Sequence, residues 1–380
     1  MDNERYDVAL APCEDYSPER VRAAMSEALD AVGGLDWVKP GMRIAVKPNL
    51  VTFKKPDAAA TTHPALLAEL CERLTERGAS VVIGDSPGGT YSQPLLSAVY
   101  SHTGMNALER EGVQINRDFS VAEAECAGGA VLKRFQYTAY LDGADAVICF
   151  AKLKTHGMMG MSGAVKNLFG VIPGTQKPEY HYRFPNVSDF ANMLIDLNEH
   201  FKPSLCLMDA VWGMEGNGPT AGTPRRIGAL MAARSPYALD LAAAELIGID
   251  ADELVTLRLA FERGLAPRSV RELRVSGDLE ALKAEGFRVI PPQNLDFSDK
   301  FLILNGFIRS CLSPNPVLEP EECVRCGECG RICPANAIKP REGLPVIDRR
   351  ACIHCFCCQE FCPKGAIKVK RPVIARILTK

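Results

Sequence analysis

The sequence lacks several features that would place it in a common class. Among its 380 residues there is no run of roughly 18 or more uncharged apolar residues, so no membrane span is expected. The first residues, Met1–Arg5, carry mixed charge and no apolar core, so no secretory signal is expected to begin there. The net charge of −2 argues against a basic nucleic-acid-binding protein and against an acidic disordered one.

Two nucleotide-binding motifs are also missing. No G-x4-G-K-[ST] sequence is present, and no G-x-G-x-x-G follows a first strand. These absences argue against a P-loop and against a nicotinamide site of the usual kind. A flavin remains open, because many flavin sites have no short motif.

Cysteine is scarce over most of the chain and dense at its end. Of the 15 cysteines, six are scattered before residue 320 and nine lie between Cys323 and Cys362. A secreted disulfide scaffold would be short and rich in cysteine throughout. The distribution instead indicates an intracellular protein with a metal-cluster module at its C-terminus, and we expect it in the cytoplasm of an anaerobe.

Before that module, short apolar runs alternate with helical patterns. Strands are predicted at 43–46, 80–83, 146–150, 205–208 and 227–232, and helices at 65–77, 189–199 and 237–247. This alternation predicts an α/β body with a mainly parallel sheet, in one or two lobes. We expect the body to cover residues 1–305, a Pro-rich linker 306–318, a small α+β ferredoxin-like domain 319–370 and a basic tail 371–380.

The terminal cysteines form an internal repeat. Residues 323–339 and 352–368 match at a shift of 29 residues, and each copy reads C-x2-C-x2-C-x3-C-P. In this pattern three cysteines bind one [4Fe–4S] cluster, and the fourth binds the other cluster. The predicted ligand sets are Cys323, Cys326, Cys329 and Cys362 for one cluster, and Cys352, Cys355, Cys358 and Cys333 for the second.

Structural zinc is the alternative, but two complete copies with a proline after each last cysteine favour clusters. The spacing of the second motif does not include Cys357, and we interpret this residue as a packed thiol rather than a ligand. Eight thiolates on two clusters leave no open iron position, so the clusters are expected to move electrons.

This terminal segment resembles bacterial-type two-cluster ferredoxins. Its seven acidic and nine basic residues over 319–370 suggest a relay tethered to its own body.

Polar residues in the body follow the predicted strands. The segment 151–170, AKLKTHGMMGMSGAVKNLFG, combines lysines with four glycines after an apolar strand, a composition suited to an anion. As catalytic candidates we take Lys154, His156 and Lys166. As substrate-binding candidates we take Lys47, Asn49, Asp85, Lys152, Asn167, Asp209 and Glu215. A tight turn with solvated lysines, a structural histidine, and helix-capping roles for the carboxylates are the simpler interpretations of the same residues.

These stretches also carry a family resemblance. The sequences VKPNL (46–50), THP (62–64), GDS (84–86), KLKTH (152–156), GAVKNLFG (163–170), GMEGNGP (213–219) and ALD (238–240) resemble, in order, the domain of unknown function 362. Members of this family often carry a C-terminal two-cluster ferredoxin module. The resemblance therefore implies an architecture but no substrate.

Two classes of function fit these features. The first is an iron–sulfur oxidoreductase, with two [4Fe–4S] clusters relaying electrons to or from a small anionic substrate at the strand edge of the body. The second is a non-catalytic electron carrier or docking protein, or a redox-sensing maturation factor. Either requires a redox partner protein or another low-potential donor, and neither requires nucleic acid.

Overall fold

The computed structural model describes residues 5–289 and 314–370. Its body is built on a mixed, mostly parallel nine-stranded sheet with helices on both faces, and a small strand-and-helix domain follows at the C-terminus. The predicted α/β class is therefore confirmed. The expected tail at 371–380 and residues 306–313 of the expected linker lie outside the described residues.

The body strands are, in chain order, Val8–Pro12 (β1), Arg43–Pro48 (β2), Ser80–Ile83 (β3), Val113–Ile115 (β4), Val121–Glu125 (β5), Arg134–Thr138 (β6), Ala146–His156 (β7), Gly160–Ser162 (β8), Leu205–Glu215 (β9), Thr223–Ala233 (β10) and Val275–Ser276 (β11). The large sheet has the order β11-β1-β10-β9-β7-β2-β3-β4, with β8 paired to β7. Strands β9, β7, β2, β3 and β4 run parallel. Their carboxyl ends therefore meet at one edge of the sheet.

The body helices are Pro18–Ala31 (α1), Pro64–Glu76 (α2), Gln93–His102 (α3), Ala164–Asn167 (α4), Lys177–Arg183 (α5), Val187–Phe201 (α6), Pro236–Leu246 (α7), Val255–Glu262 (α8) and Leu279–Leu282 (α9). Helix α2 shows how the sequence sets such an element. His63 precedes the helix, and its ring Nδ1 accepts a hydrogen bond from the Ala65 N–H at 3.2 Å. Pro64 suits the first helical position because it has no N–H to leave unpaired. The leucines of α2 are fully buried against the sheet.

All eleven residues of β7 are buried. A parallel central strand is covered on both faces by helices, so its sequence is apolar on both sides. The strand was predicted to end at Phe150, but it continues to His156 and carries Lys152 and Lys154 into the interior. Buried ammonium groups need partners, and these partners form the candidate site.

The C-terminal domain is small and internally repeated. Its elements are Asn315–Leu318 (β12), Glu328–Arg331 (α10), Ile338–Arg341 (β13), Leu344–Ile347 (β14), Cys357–Glu360 (α11) and Ile367–Lys370 (β15). Strand β12 pairs antiparallel with β15, so the first and last described strands close the domain, and β13 pairs with β14. Helices α10 and α11 occupy equivalent places in the two halves of the repeat, each carrying the third cysteine of its motif.

Candidate active site

A small polar cavity of about 40 Å³ lies at the carboxyl edge of the parallel strands. We call it the lysine pocket, because four lysines line it. Its polar side chains are those of Lys47, Asn49, Asp85, Ser86, Lys154, Ser162, Lys166, Asn167, Lys177 and Glu360. Six of the ten body residues predicted from the sequence thus lie around one cavity. They come from the end of β2, the turn after β3, β7 and the short helix α4.

The lysine pocket contains a buried ion pair. Lys47 Nζ lies 2.7 Å from Asp85 Oδ1, and both side chains are almost completely buried. The carboxylate also accepts the N–H groups of Leu50 at 2.7 Å and Ser86 at 2.8 Å. Gly170 leaves the space for this pair, because a Cβ there would lie 2.1 Å from Asp85 Oδ1 and 2.3 Å from Lys47 Nζ.

Lys154 is held by neutral acceptors. Its Nζ donates to Asn49 Oδ1 at 2.9 Å and to the Ala60 carbonyl at 2.6 Å. The Asn49 amide in turn donates to Asn167 Oδ1 at 3.1 Å. Burial lowers the pKa of Lys154 to about 7, even though the carboxylate of Glu360 opposes the change. Lys154 is therefore an ammonium group that exchanges its proton near neutral pH.

Lys166 and Lys177 both lie over the ring of Phe169, with Nζ 5.6 and 5.5 Å from its centroid. Lys177 Nζ also donates to the Ser86 carbonyl. Burial lowers the pKa of Lys166, and it lowers the pKa of Lys177 to about 8. Sequence reasoning did not find Lys177, because it begins a separate helix and no motif links it to the strand ends.

Helix α4 is positioned by a carboxylate from another element. Asp240, in α7, accepts the N–H groups of Ala164 at 2.6 Å and Val165 at 3.1 Å. Burial raises the pKa of Asp240 to about 7, although these two hydrogen bonds favour its ionised form. The residue thus caps the helix that carries Lys166 and Asn167, and it does so from outside that helix.

His156 adjoins the lysine pocket behind Glu360. Its Nδ1 accepts the N–H groups of Met158 at 3.1 Å and Met159 at 3.2 Å, so the neutral ring carries its proton on Nε2. Nε2 lies 3.6 Å from Glu360 Oε2 and has no hydrogen-bond partner among the described residues. Burial, reinforced by the charge of Lys166, lowers the pKa of His156 to about 4. The geometry suits a neutral hydrogen-bond donor.

Sequence reasoning also missed Glu360 and His181. Glu360 belongs to the C-terminal domain, yet its carboxylate is a wall of the lysine pocket. Burial alone would raise the pKa of Glu360, but Lys166 and His156 outweigh burial and hold it well below its usual range. His181 stacks on Phe190 with ring centroids 4.4 Å apart, and burial lowers its pKa to about 3.

Three predicted residues lie elsewhere. Lys152 and Asp209 form a fully buried ion pair at 2.8 Å, completed by the Tyr16 hydroxyl, which donates to Asp209 at 2.9 Å. Glu215 accepts from the backbone and guanidinium of Arg288 at 3.0 and 2.8 Å. None of the three lines the lysine pocket. All have their charges balanced locally, as structural ion pairs do.

The cysteines line two further cavities. The first, of about 330 Å³, is lined by Cys323, Cys326, Cys329 and Cys362. The second, of about 20 Å³, is lined by Cys333, Cys352, Cys355, Cys357 and Cys358. This grouping matches the two predicted ligand sets, with Cys357 as an additional residue beside the second.

The surroundings of these thiols suit clusters. Backbone N–H groups lie 3.4 Å from Cys323 Sγ, 3.3 Å from Cys333 Sγ and 3.2 Å from Cys362 Sγ, the last two in equivalent places of the repeat. Such hydrogen bonds stabilise thiolate charge on cluster ligands. In residues 5–289 and 314–370, no three His, Cys, Asp or Glu side chains converge as a single-ion site requires.

Helix α11 joins the second cavity to the lysine pocket. Gln359 is buried, and its Nε2 donates to the carbonyls of Asn217 at 3.1 Å and Gly218 at 2.8 Å. The Thr220 hydroxyl donates to the Glu360 carbonyl at 3.1 Å. Cys357 is buried and lines the second cavity. The helix that carries Cys358 is thus seated on the rim of the lysine pocket.

Comparison with known proteins gives two family matches. The domain of unknown function (DUF362) matches residues 44–245, and a 4Fe-4S dicluster domain matches residues 315–363. The second match supports iron–sulfur cluster binding and a role in electron transfer. No helix within 5–289 or 314–370 has the length and apolar character to cross a bilayer.

Individual relatives are more distant. A thylakoid-associated protein from Synechocystis sp. is 29% identical over 262 residues, which make up 68% of this chain and 80% of that protein. The structure of a lactate racemase apoprotein from Thermoanaerobacterium thermosaccharolyticum matches with a TM-score of 0.40 and 14% identity. This match covers 66% of the present chain and 60% of the racemase chain.

The Asp85 ion pair gives a stability prediction. Asp85→Ala leaves Lys47 charged, buried and unpaired, so we expect a loss of about 3–5 kcal/mol in the free energy of unfolding. The measurement is urea unfolding followed by the fluorescence of Trp37 and Trp212, both in the body. Glu125→Ala, which breaks the exposed pair with Arg134, should cause no measurable change. Equal effects of the two substitutions would contradict the role given to Asp85.

Proposed function

The chain belongs to the DUF362 family over more than half of its length and carries a 4Fe-4S dicluster domain, and on this basis we propose that it is an iron–sulfur oxidoreductase. Its substrate is a small anion bound in the lysine pocket. The observation that carries this proposal is the position of Glu360. This residue is two places from Cys358, and its carboxylate is nevertheless a wall of the pocket.

The predicted sets of thiolates would hold two [4Fe–4S] clusters, with Cys323, Cys326, Cys329 and Cys362 around one, and Cys333, Cys352, Cys355 and Cys358 around the other. Bound there, the clusters would supply or accept single electrons. The lining of the two cavities supports this assignment. The second set includes Cys358, which lies on the same short helix as Glu360 of the lysine pocket. Electrons exchanged at the second set therefore have a short route to the lysine pocket.

The charge of the lysine pocket supports an anionic substrate. Four lysines face two carboxylates, so the lining carries an excess of two positive charges when every group is ionised. Lys47 is already paired with Asp85, which leaves Lys154, Lys166 and Lys177 to meet a ligand. An anion would restore the charge balance that burial disturbs. It would also accept hydrogen bonds from these ammonium groups.

The same residues can manage protons during electron transfer. With a pKa near 7, Lys154 can give a proton to a reduced substrate and regain it from solvent. His156 offers its Nε2–H as a neutral hydrogen-bond donor and keeps that proton, because its Nδ1 already accepts two backbone N–H groups. In this division of roles Lys154 transfers the proton, and His156 directs its Nε2–H toward the carboxylate of Glu360.

Turnover is tested with the reconstituted holoprotein under anaerobic conditions. The clusters are reduced, excess reductant is removed, and reoxidation is followed at visible wavelengths with a panel of small carboxylates and phosphate esters. At least one candidate should accelerate reoxidation. Lys166→Ala should weaken the apparent affinity for it on the order of tenfold to a hundredfold, since an ammonium–anion hydrogen bond contributes about 1.5–3 kcal/mol.

Lys39→Ala, which removes an exposed lysine, is the matched control and should behave as the parent protein. Reduced clusters that respond to no candidate would contradict the proposed activity. Unchanged electron transfer to a partner protein in Lys166→Ala and His156→Ala, without any substrate response, would favour the electron-carrier alternative.

A second test uses the pH dependence of anion binding. Lys154 and Lys177, with pKa values of about 7 and 8, lose their charge as the pH rises, and the lowered pKa of Lys166 acts in the same direction. The paired Lys47 and Asp85 and the carboxylate of Glu360 complete the charged lining. The affinity for sulfate, which stays a dianion, should therefore fall at least about tenfold between roughly pH 6 and 9. Calorimetric titration measures this affinity. Lys154→Met should flatten the profile and Lys39→Met should not, whereas affinity that rises with pH would contradict the assignment.

The seating of the C-terminal domain gives a third test. A Cβ on Gly88 would lie 2.1 Å from the ring of Phe361, so in Gly88→Ala either that ring, next to Glu360, or the turn at Gly88 must shift. A misplacement of about 1 Å can cost on the order of a hundredfold in rate. We expect slower substrate-dependent reoxidation with unchanged iron and sulfide content. Gly128→Ala, whose Cβ would contact nothing, is the control, and equal rates in the two variants would contradict this seating.

A further inference from the structure

The two cysteine-lined cavities differ in what surrounds them. The second is flanked by Phe356 and Cys357, which are buried at 2% and 1% exposure, and Phe356 packs among residues of the body. The described lining of both cavities comes from the C-terminal domain, but the buried lining residues of the first, such as Ile338 and Ile367, pack within that domain's own core. Cys326 in the first set is exposed, and its neighbour Val324 is 56% exposed. The first cavity is therefore the one that a partner protein can approach.

The surface around the first cavity carries a particular charge. Its lining includes the basic residues Arg325, Arg331 and Lys364 and the single carboxylate Glu328. Glu328 pairs with Arg331. Arg325 and Lys364 are exposed, and neither forms an ion pair with a described carboxylate. An exposed apolar residue among uncompensated cations, beside cluster-binding thiols, has the character of an interaction surface.

We infer that this surface, the docking face formed by Val324, Arg325, Cys326, Arg331 and Lys364, is where a small acidic electron-carrier protein binds and exchanges electrons with the first cluster. Cys323, Cys326, Cys329 and Cys362 would hold the first cluster, which would accept one electron from the redox centre of the reduced carrier or return one to its oxidised form. No bond forms or breaks. The second cluster is then the one that serves the lysine pocket.

Charge complementarity selects an acidic partner. Opposite charges steer two proteins into an encounter and raise association rates by on the order of 10–1,000-fold. A second copy of the chain would present the same uncompensated cations to this face, and like charges in contact disfavour association. The face thus fits an acidic carrier better than a copy of itself. The inference depends on the proposed function only for the two clusters, and it requires no substrate.

The test is a stopped-flow measurement with reduced holoprotein and an oxidised, acidic plant-type [2Fe–2S] ferredoxin as the probe. The second-order rate constant should fall as salt is raised. The double variant Arg325→Glu/Lys364→Glu should lower it at least about tenfold at low salt. The control Lys39→Glu/Arg134→Glu makes the same charge change on exposed body residues that line neither cavity, and it should have little effect.

Two further measurements keep the outcome decisive. A small neutral quinone should oxidise the parent, the double variant and the control at equal rates, which shows that the clusters are intact. The single variant Lys364→Glu, changed at an exposed position, should show a smaller loss in the same direction if the double variant assembles poorly.

Equal ferredoxin rates in parent and docking-face variants would overturn the inference, and so would an equal loss in the body control. Loss of self-association in the docking-face variant, without a change in rate, would assign the face to a second copy and also overturn it. Ferredoxin exchange through this face without any substrate response would instead contradict the proposed oxidoreductase and leave the docking face standing.

Discussion

Burial of several ammonium groups at one sheet edge is the constraint on which the site depends. A charged lysine taken out of water is costly unless a carboxylate or several acceptors replace its hydration. Lys47 meets this requirement with Asp85 at 2.7 Å. Lys154 has only an amide oxygen and a carbonyl oxygen as acceptors, and burial lowers its pKa to about 7. The lysine pocket thus combines a buried ion pair with two lysines, Lys154 and Lys177, whose pKa values lie near neutral pH.

The lysine pocket also depends on the C-terminal domain, because Glu360 of that domain supplies negative charge to it. Lys166 and His156 hold its pKa well below the usual range, so the carboxylate stays ionised. Its backbone carbonyl accepts from Thr220, and its neighbour Gln359 donates to the carbonyl of Gly218. The same few contacts therefore determine both the charge balance of the lysine pocket and the position of helix α11.

Much of the architecture could be predicted from the sequence, because it follows from local periodicity. The strand 80–83 has the predicted bounds, and helix α2 lies within a residue of them. The rule that parallel strands end at one edge also placed Lys47, Asp85 and Lys154 together. The rule could not show that Lys152 lies outside the lysine pocket, because Lys152 and Lys154 are two residues apart on one strand and such residues share a face. Only the tertiary partner decides that Lys152 pairs with Asp209.

Residues contributed by remote segments were beyond local reasoning. Lys177 and His181 belong to α5, a short helix whose place depends on packing around Phe169 and Phe190. Glu360 lies in a cysteine motif whose spacing explains cluster ligation but carries no information about what the domain touches. The repeat therefore predicted the grouping of the thiols around the two cavities but not the docking of one cavity against the body.

The position of the C-terminal domain follows from the same topological rule that gathers the lysines. Helix α11 and its neighbours contact the turn 216–220 after β9, Gly88 after β3 and His156 at the end of β7. All three segments begin where parallel strands end. At that edge, backbone groups and side chains have hydrogen-bonding capacity that no neighbouring strand uses. They are therefore available both to a ligand and to a docking domain. A domain seated there brings its nearest thiols to the edge where we propose that an anion binds.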